Sequence, residues 1–142
     1  MMSLSLMNFI VTSAMTGILW LIQIVHYPMF EGLAELDFLK WHEFHSRRIT
    51  YIVGPLMVLD LLVSIYLSYL LRSPLSYLAA ALTIFVWLMT FLVSVPLHTK
   101  LGRSDRASQI AREVVIARLV ATNWPRTIAY SLKLIVLFLS LR

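Results

Sequence analysis

The chain of 142 residues contains no cysteine, only four glycines and few charged residues, which make up 13% of the total. Without cysteine the protein has no disulfide, thiolate ligand or thiol nucleophile, so a bound metal would need nitrogen or oxygen ligands. The sequence also has no Gly-rich phosphate loop and no G-x-S-x-G motif. Nucleotide hydrolysis and serine-hydrolase chemistry therefore have no support.

Hydrophobic residues, by contrast, make up 60% of the chain, and its mean hydropathy is +0.83. These values are typical of an integral membrane protein, because a soluble domain carries far more charge. About 20 apolar residues in a helix cross the roughly 30 Å of hydrocarbon in a bilayer. Segments of this kind occupy residues 8–28, 49–71, 77–97 and 125–141. The sequence thus predicts an all-α, integral membrane four-helix bundle in which residues 1–142 form a single domain.

Basic residues are concentrated on one side of this predicted bundle. Four spans place both termini on one side and residues 29–48 and 98–124 on the other, which we call the loop side. Nine of the twelve lysines and arginines lie on or border the loop side: Lys40, Arg47, Arg48, Lys100, Arg103, Arg106, Arg112, Arg118 and Arg126. By the positive-inside rule the loop side is cytoplasmic, and both termini lie outside the cytoplasm. The net charge of +5 then reflects topology, so no nucleic-acid partner is expected.

Two connections between the predicted spans have distinct patterns. The stretch "RSPLSY" at residues 72–77 is a Ser-Pro turn, short enough that the second and third spans must be antiparallel neighbours. The stretch "SDRASQIAREVVIARLV" at residues 104–120 has Ile110, Val114 and Ala117 along one helix face and arginines around much of the rest. It predicts an amphipathic helix in the cytoplasmic interface between spans three and four.

All four histidines fall at loop-side ends of predicted spans. His26 closes the first span, His42 and His45 precede the second, and His98 follows the third. A spacing of three residues allows His42 and His45 to share one helix face. Because neutral imidazoles suit iron, copper and zinc, the pattern predicts a transition-metal site formed by all four histidines.

Other polar residues on the loop side are candidates to support this site. Gln23 lies three residues before His26, on the same predicted helix face, and Asn123 and Arg126 enter the fourth span. Asn123 and Arg126 would orient ligands or hold an anionic group of a substrate. We therefore predict Gln23, Asn123 and Arg126 as cofactor-binding residues, whereas catalytic residues are not identified. Additional carboxylate ligands would come from Glu31, Glu35 and Glu43.

Two other interpretations of the histidines stay open. Two histidines from different helices, for example His26 and His98, would ligate a haem, which we rank below a non-haem metal. Alternatively, the histidines form hydrogen bonds at the membrane interface without any metal, since imidazoles tolerate that environment.

Two ionisable residues fall inside predicted spans. Asp60 and Lys133 lie roughly 16 Å and 12 Å from the loop-side ends of their spans, at 1.5 Å per helical residue. These similar depths allow a buried ion pair. Its role is either structural, fixing the register of two helices, or functional, as part of a proton path.

Several motifs carry a family resemblance that covers nearly the whole chain. The stretches "WLIQIVHYPMF", "FHSRRITYIVGP", "VPLHTKL" and "LVATNWPRTIAY" resemble a family of small, uncharacterised bacterial four-span membrane proteins, which implies a location in the bacterial inner membrane. More distantly, "VPLHTKL" followed by "NWPRT" is similar to the anthrone-oxygenase-like membrane proteins, although His98 stands where those proteins have asparagine and Asn123-Trp124 reverses their order. That similarity implies oxygenation of an apolar aromatic substrate, with Pro96, His98, Asn123 and Arg126 as candidate site residues.

Our first functional hypothesis is a metal-dependent membrane oxidoreductase that acts on a lipid-soluble small molecule at the cytoplasmic histidines. The alternative is a non-catalytic membrane protein that binds haem, a lipid or a partner protein. Membrane lipids are expected partners in either case, and a second copy of the chain in a homo-oligomer is a further candidate partner. A proton-coupled carrier that uses Asp60 and Lys133 is weaker, since four spans leave little room for alternating access.

Overall fold

The computed structural model describes residues 2–31, 35–102 and 109–140, and these residues are almost entirely helical. Within these ranges the chain forms four long helical segments: α1 (residues 2–31), α2 (Glu35–Leu71), α3 (residues 74–102) and α4 (Gln109–Ser140). Both α1 and α3 pack against α2 and α4. Each helix thus has two helical neighbours, as in a four-helix bundle, and the predicted all-α architecture is confirmed.

Three of these helices are long and apolar enough to cross a membrane, over Met2–Phe30 in α1, Asp37–Leu71 in α2 and Pro74–Gly102 in α3. They agree with the first three predicted spans and are compatible with an integral membrane protein. The fourth helix does not reach the same hydropathy, because it carries basic residues in its apolar half. Crossing of the membrane by α4 therefore stays a prediction.

The beginning of α4 differs from the expected amphipathic helix over residues 104–120. Within the described part of the chain this stretch is not a separate element, because residues 109–120 form the first turns of α4. Residues 103–108 lie outside the described residues. Ile116 and Leu119 are buried against side chains of α1, α2 and α3. Of the predicted apolar face, in contrast, Val114 and Ala117 are exposed, so a helix face that meets the membrane interface stays a prediction.

The turn between α2 and α3 confirms the predicted hairpin. Arg72 directly follows α2, and its backbone lies in the left-handed region with a φ of 48°. Ser73 then caps α3: its hydroxyl accepts from the Ser76 N–H at 3.2 Å, and its own N–H donates to the Ser76 hydroxyl at 3.1 Å. Pro74 begins α3, where a missing N–H costs nothing. These contacts make the two-residue connection rigid and force the helices antiparallel.

Two wide helical turns of the π type interrupt the bundle on its loop side. Ile22–His26 lies within α1, and Thr90–Ser94 lies within α3. A π turn inserts an extra residue and so rotates the side chains beyond it relative to those before it. The first turn ends at His26, and the second ends one turn before His98. Such insertions are frequent at functional sites, and here both lead into candidate site residues.

Candidate functional site

The structure brings the four histidines, which we call the histidine cluster, to one end of the bundle in two pairs. His42 of α2 and His98 of α3 form one pair, with Nε2 of the first 3.1 Å from Nδ1 of the second. Their rings are stacked with centroids 5.3 Å apart. His26 of α1 and His45 of α2 form the other pair, with ring centroids 5.0 Å apart. Three helices therefore supply imidazoles to the same region.

Aromatic side chains hold the two pairs in place. The ring of Phe30 lies 5.7 Å from that of His42 and 5.3 Å from that of His45, so it contacts both pairs. Phe38 stacks on His42 at 5.7 Å with an interplanar angle of 13°. Since Phe30 and Phe38 are both buried, the histidine cluster is embedded in an apolar wall.

Two nitrogens of the cluster have no partner. His26 Nδ1 and His42 Nδ1 are buried and form no hydrogen bond. Buried polar atoms are nearly always hydrogen-bonded, and the exceptions call for a specific explanation. His42 is only 3% exposed, so its free nitrogen is not satisfied by bulk solvent. One explanation is that a bound molecule or ion supplies the missing partner of these nitrogens.

The predicted supporting residues form a second buried network beside the histidine cluster. Asn123 donates from Nδ2 to Oε1 of Gln23 at 2.7 Å, and Gln23 donates to the carbonyl of Val120 at 3.3 Å. Arg126 donates from Nη1 to Asn123 Oδ1 at 3.0 Å and to Ser94 Oγ at 3.1 Å. Asn123 thus links Gln23 to Arg126, while the predicted role of these three residues toward a cofactor stays a prediction.

Arg126 is a buried cation within this network. It is 5% exposed, its Nε has no hydrogen-bond partner, and no carboxylate of the described residues forms an ion pair with it. An unpaired charge in a low-dielectric environment is costly, so such a residue is seldom retained for packing alone. Tyr27 lies on the same side, with its hydroxyl 3.5 Å from His98 Nε2, and therefore adjoins the histidine cluster.

A cavity of about 600 Å³ opens beside the His26–His45 pair. Its walls are mostly apolar and partly aromatic, and its polar groups are two imidazoles and one guanidinium. The lining residues are His26, Met29, Phe30, Trp41, Phe44, His45, Arg48, Ile49 and Ile52. Ligand sites in proteins are commonly cavities of about 300–1,000 Å³ with apolar walls and a few polar groups. The cavity therefore has the size and composition of a small-molecule site.

The ion pair predicted between Asp60 and Lys133 is present, but it lies apart from the histidine cluster. Lys133 donates to Asp60 at 2.6 Å and to Ser64 at 2.8 Å, and both charged side chains are fully buried. Hydroxyl groups complete the coordination of the carboxylate, with Thr12 and Tyr130 donating at 3.1 Å each. The pair joins α2 to α4, and the hydroxyl groups around it donate hydrogen bonds to the carboxylate.

The metal predictions are only partly addressed by this geometry. Among the residues that the structure describes, no group of three or more His, Asp or Glu side chains is placed to hold a metal ion. The side chains of Glu31 and Glu35 lie outside the described part, and Glu43 is exposed. His26 and His98, the example given for haem, belong to different pairs. The four-histidine ligand set and the haem alternative stay predictions.

Sequence reasoning missed several residues of this region. Tyr27 contacts His98, Ser94 accepts a hydrogen bond from Arg126, and Phe30, Trp41 and Phe44 form the aromatic wall of the cavity. A signal existed for Ser94, which lies four residues before His98 and so shares its helix face. No pattern in the sequence indicated the cavity, because its lining combines residues of α1 and α2 that only the packing of the two helices brings together.

The chain matches no protein-family model, no curated protein and no solved structure. The resemblance to a bacterial four-span family and to the anthrone-oxygenase-like proteins therefore stays a prediction, and the chemistry of the site has to be inferred from its residues.

Proposed function

We propose that the protein is a four-span membrane protein that binds a lipid-soluble small molecule in the cavity beside the His26–His45 pair. The observation that supports this proposal most directly is the cavity itself, about 600 Å³ in volume, with apolar walls and a few hydrogen-bonding groups on one side. Trp41, Phe44 and Ile52 of the lining are each about half exposed. The cavity is thus open on the outside of the bundle, where an apolar molecule would enter from the bilayer.

The proposed topology includes α4 as the fourth span. Its basic residues Arg126 and Lys133 are buried in the bundle and do not face lipid. Its outer side is apolar, with large exposed side chains at Ile128, Leu132, Ile135, Phe138 and Leu139. These residues recur at helical spacing and would meet lipid chains. With the basic loops inside, the cavity lies on the cytoplasmic side of a bacterial inner membrane and the termini lie outside.

Filling the cavity should weaken binding of an apolar probe. Replacing Ile49 by phenylalanine adds volume within the lining. We expect the affinity for menadione, a neutral naphthoquinone, to fall by roughly tenfold, since overfilling a site removes well-packed contact area. Binding would be followed in nanodiscs by quenching of tryptophan fluorescence, because Trp41 lines the cavity and quinones quench indole emission.

The matched control is Ile65→Phe, which makes the same change on α2 at an exposed position outside the lining. That variant should bind menadione like the wild type. A Trp41→Phe variant should lose the saturable part of the quenching. Equal quenching in wild type and Ile49→Phe, or quenching that never saturates, would show that the quinone only partitions into lipid.

A second candidate function is transition-metal binding, and one distance favours it. Imidazole nitrogens bind zinc and similar ions at about 2.0–2.1 Å, so two such nitrogens on one ion are about 3.0–3.4 Å apart. Nε2 of His42 and Nδ1 of His98 are separated by 3.1 Å, which suits a shared metal as well as a hydrogen bond. A redox-active metal here, supported by Arg126 and Asn123, would make the protein an oxidoreductase.

Removal of either histidine of this pair should therefore remove the metal. We expect His42→Ala and His98→Ala to lower the bound metal by roughly tenfold or more, since each would take away half of the imidazole ligands. Elemental analysis of protein purified without a histidine tag, together with a visible spectrum for haem, provides the measurement. Glu43→Gln, an exposed change one residue from His42, is the control.

A wild-type protein that stays free of metal and haem after metal-replete expression would contradict this second candidate. The 3.1 Å contact would then be a hydrogen bond between two neutral rings, one donating and the other accepting. Small-molecule binding in the cavity would be unaffected by that result.

A further inference from the structure

The polar groups of the cavity share one property: all of them can donate hydrogen bonds, and one is permanently charged. They are His26, His45 and Arg48. No carboxylate of the described residues lines the cavity. A ligand with an acidic group would therefore find hydrogen-bond donors and positive charge, and no opposing carboxylate among the lining residues that the structure describes.

Arg48 is free to bind such a group. Among the described residues no carboxylate forms an ion pair with it, and its guanidinium lies over the ring of Phe44 at 5.3 Å from the centroid. Phe44 precedes Arg48 by four residues, so the ring supports the guanidinium from the same helix face. A guanidinium whose plane is held in this way keeps its donors available for bidentate contact with an acid.

A second side chain is placed to bind the same acidic group. His45 lies one helical turn before Arg48, and both line the cavity. The ring of His26 lies 5.0 Å from that of His45, and its buried Nδ1 has no hydrogen-bond partner among the described residues. A donor or acceptor of the ligand would satisfy this atom, which the protein itself leaves unpaired.

The apolar part of the cavity continues from Arg48 into the membrane. Ile49 and Ile52 follow Arg48 on α2, and Ile52 lies roughly 6 Å further along the helix axis at 1.5 Å per residue. The predicted second span begins at residue 49, so Arg48 stands at the boundary between headgroups and hydrocarbon. A ligand that spans this boundary needs an ionic head and an apolar body.

We propose that the occupant of the cavity is a small amphiphile with one acidic group on an aromatic or aliphatic body, and that Arg48 binds the acid with help from His45. This inference rests on the proposed function, since it specifies the ligand of the same cavity. The same chemistry is offered by a free organic acid and by the phosphate of an anionic lipid.

The test compares two probes that differ only in charge, anthracene-9-carboxylate and its methyl ester, in nanodiscs of zwitterionic lipid. Energy transfer from Trp41 to the anthracene reports binding, and the Trp41→Phe variant supplies the background from lipid partitioning. We expect Arg48→Gln to lower the affinity for the acid by about tenfold or more and to change that for the ester by less than about twofold. Arg47→Gln removes the same charge at an exposed position outside the lining and should leave both affinities unchanged.

Each outcome distinguishes the inference from the function on which it rests. If acid and ester bind equally and Arg48→Gln affects neither, the inference is wrong while small-molecule binding stands. If neither probe binds above background and menadione also fails, both are wrong. Repeating the titration in nanodiscs with phosphatidylglycerol identifies the source: lost binding of the acid assigns the site to anionic lipid, and unchanged binding assigns it to a free acid.

Discussion

Replacement of Asp60 by asparagine is expected to lower the free energy of unfolding by about 3–5 kcal/mol, because it leaves the Lys133 ammonium buried without its counter-ion. Lys133 is 1% exposed and donates to Asp60 and Ser64, so solvent cannot compensate. Thr12, Thr83 and Tyr130 also donate to this carboxylate and would lose a charged acceptor. Reversible unfolding in mixed detergent and SDS micelles, followed by circular dichroism, gives the measurement.

A double-mutant cycle separates the ion pair from the surrounding hydrogen bonds. Lys133→Gln alone should also destabilise strongly, whereas the Asp60→Asn/Lys133→Gln double variant should recover a large part of the loss, because two amides can bond to each other without charge. Asp37→Asn and Lys40→Gln are matched controls at exposed positions on α2. Additive losses in the double variant would show that the two charges act independently and would contradict a structural pair.

The helices were predictable because a helix that crosses a membrane needs a long run of apolar residues. Long apolar segments and a Ser-Pro turn are local signals, and residues 72–77 adopt the expected hairpin with Ser73 as the cap. The pairing of Asp60 with Lys133 followed from their similar depth alone. The start of α4 was harder, because the pattern does not indicate which side of the helix meets protein, and Val114 and Ala117 of the predicted apolar face are exposed. Burial of Ile116 and Leu119 against other helices is a tertiary effect.

The candidate site was predictable only in part, for a related physical reason. Topology brings the loop-side ends of all helices together, so the proximity of the histidines and of Asn123 to Gln23 followed from counting spans. Their division into two pairs did not, since it depends on side-chain rotation at the π turns of Ile22–His26 and Thr90–Ser94. These turns have no sequence signature. The cavity likewise arises from the space between helices, which hydropathy does not report.

Arg126→Gln is expected to raise the free energy of unfolding of the ligand-free protein by about 1–2 kcal/mol, whereas Lys133→Gln is expected to lower it. Both variants remove a buried cation from α4. Lys133 is neutralised by a carboxylate, whereas no carboxylate of the described residues is paired with Arg126. Glutamine keeps an amide donor for Ser94 or Asn123 while it removes the cost of the unpaired charge and of the unpartnered Nε.

Under the proposed function such a residue is retained for a ligand, because polar groups that cost stability are characteristic of sites that act on a ligand. Arg118→Gln, which changes an exposed arginine on α4, serves as the control and should shift stability by less than about 0.5 kcal/mol. Unfolding of both variants is measured as for Asp60→Asn. A loss of stability in Arg126→Gln would mean that the guanidinium holds Asn123 and Ser94 together as a structural link, and the argument for a functional cation would fail. A gain would identify Arg126 as a charge kept for the chemistry at the histidine end of the bundle.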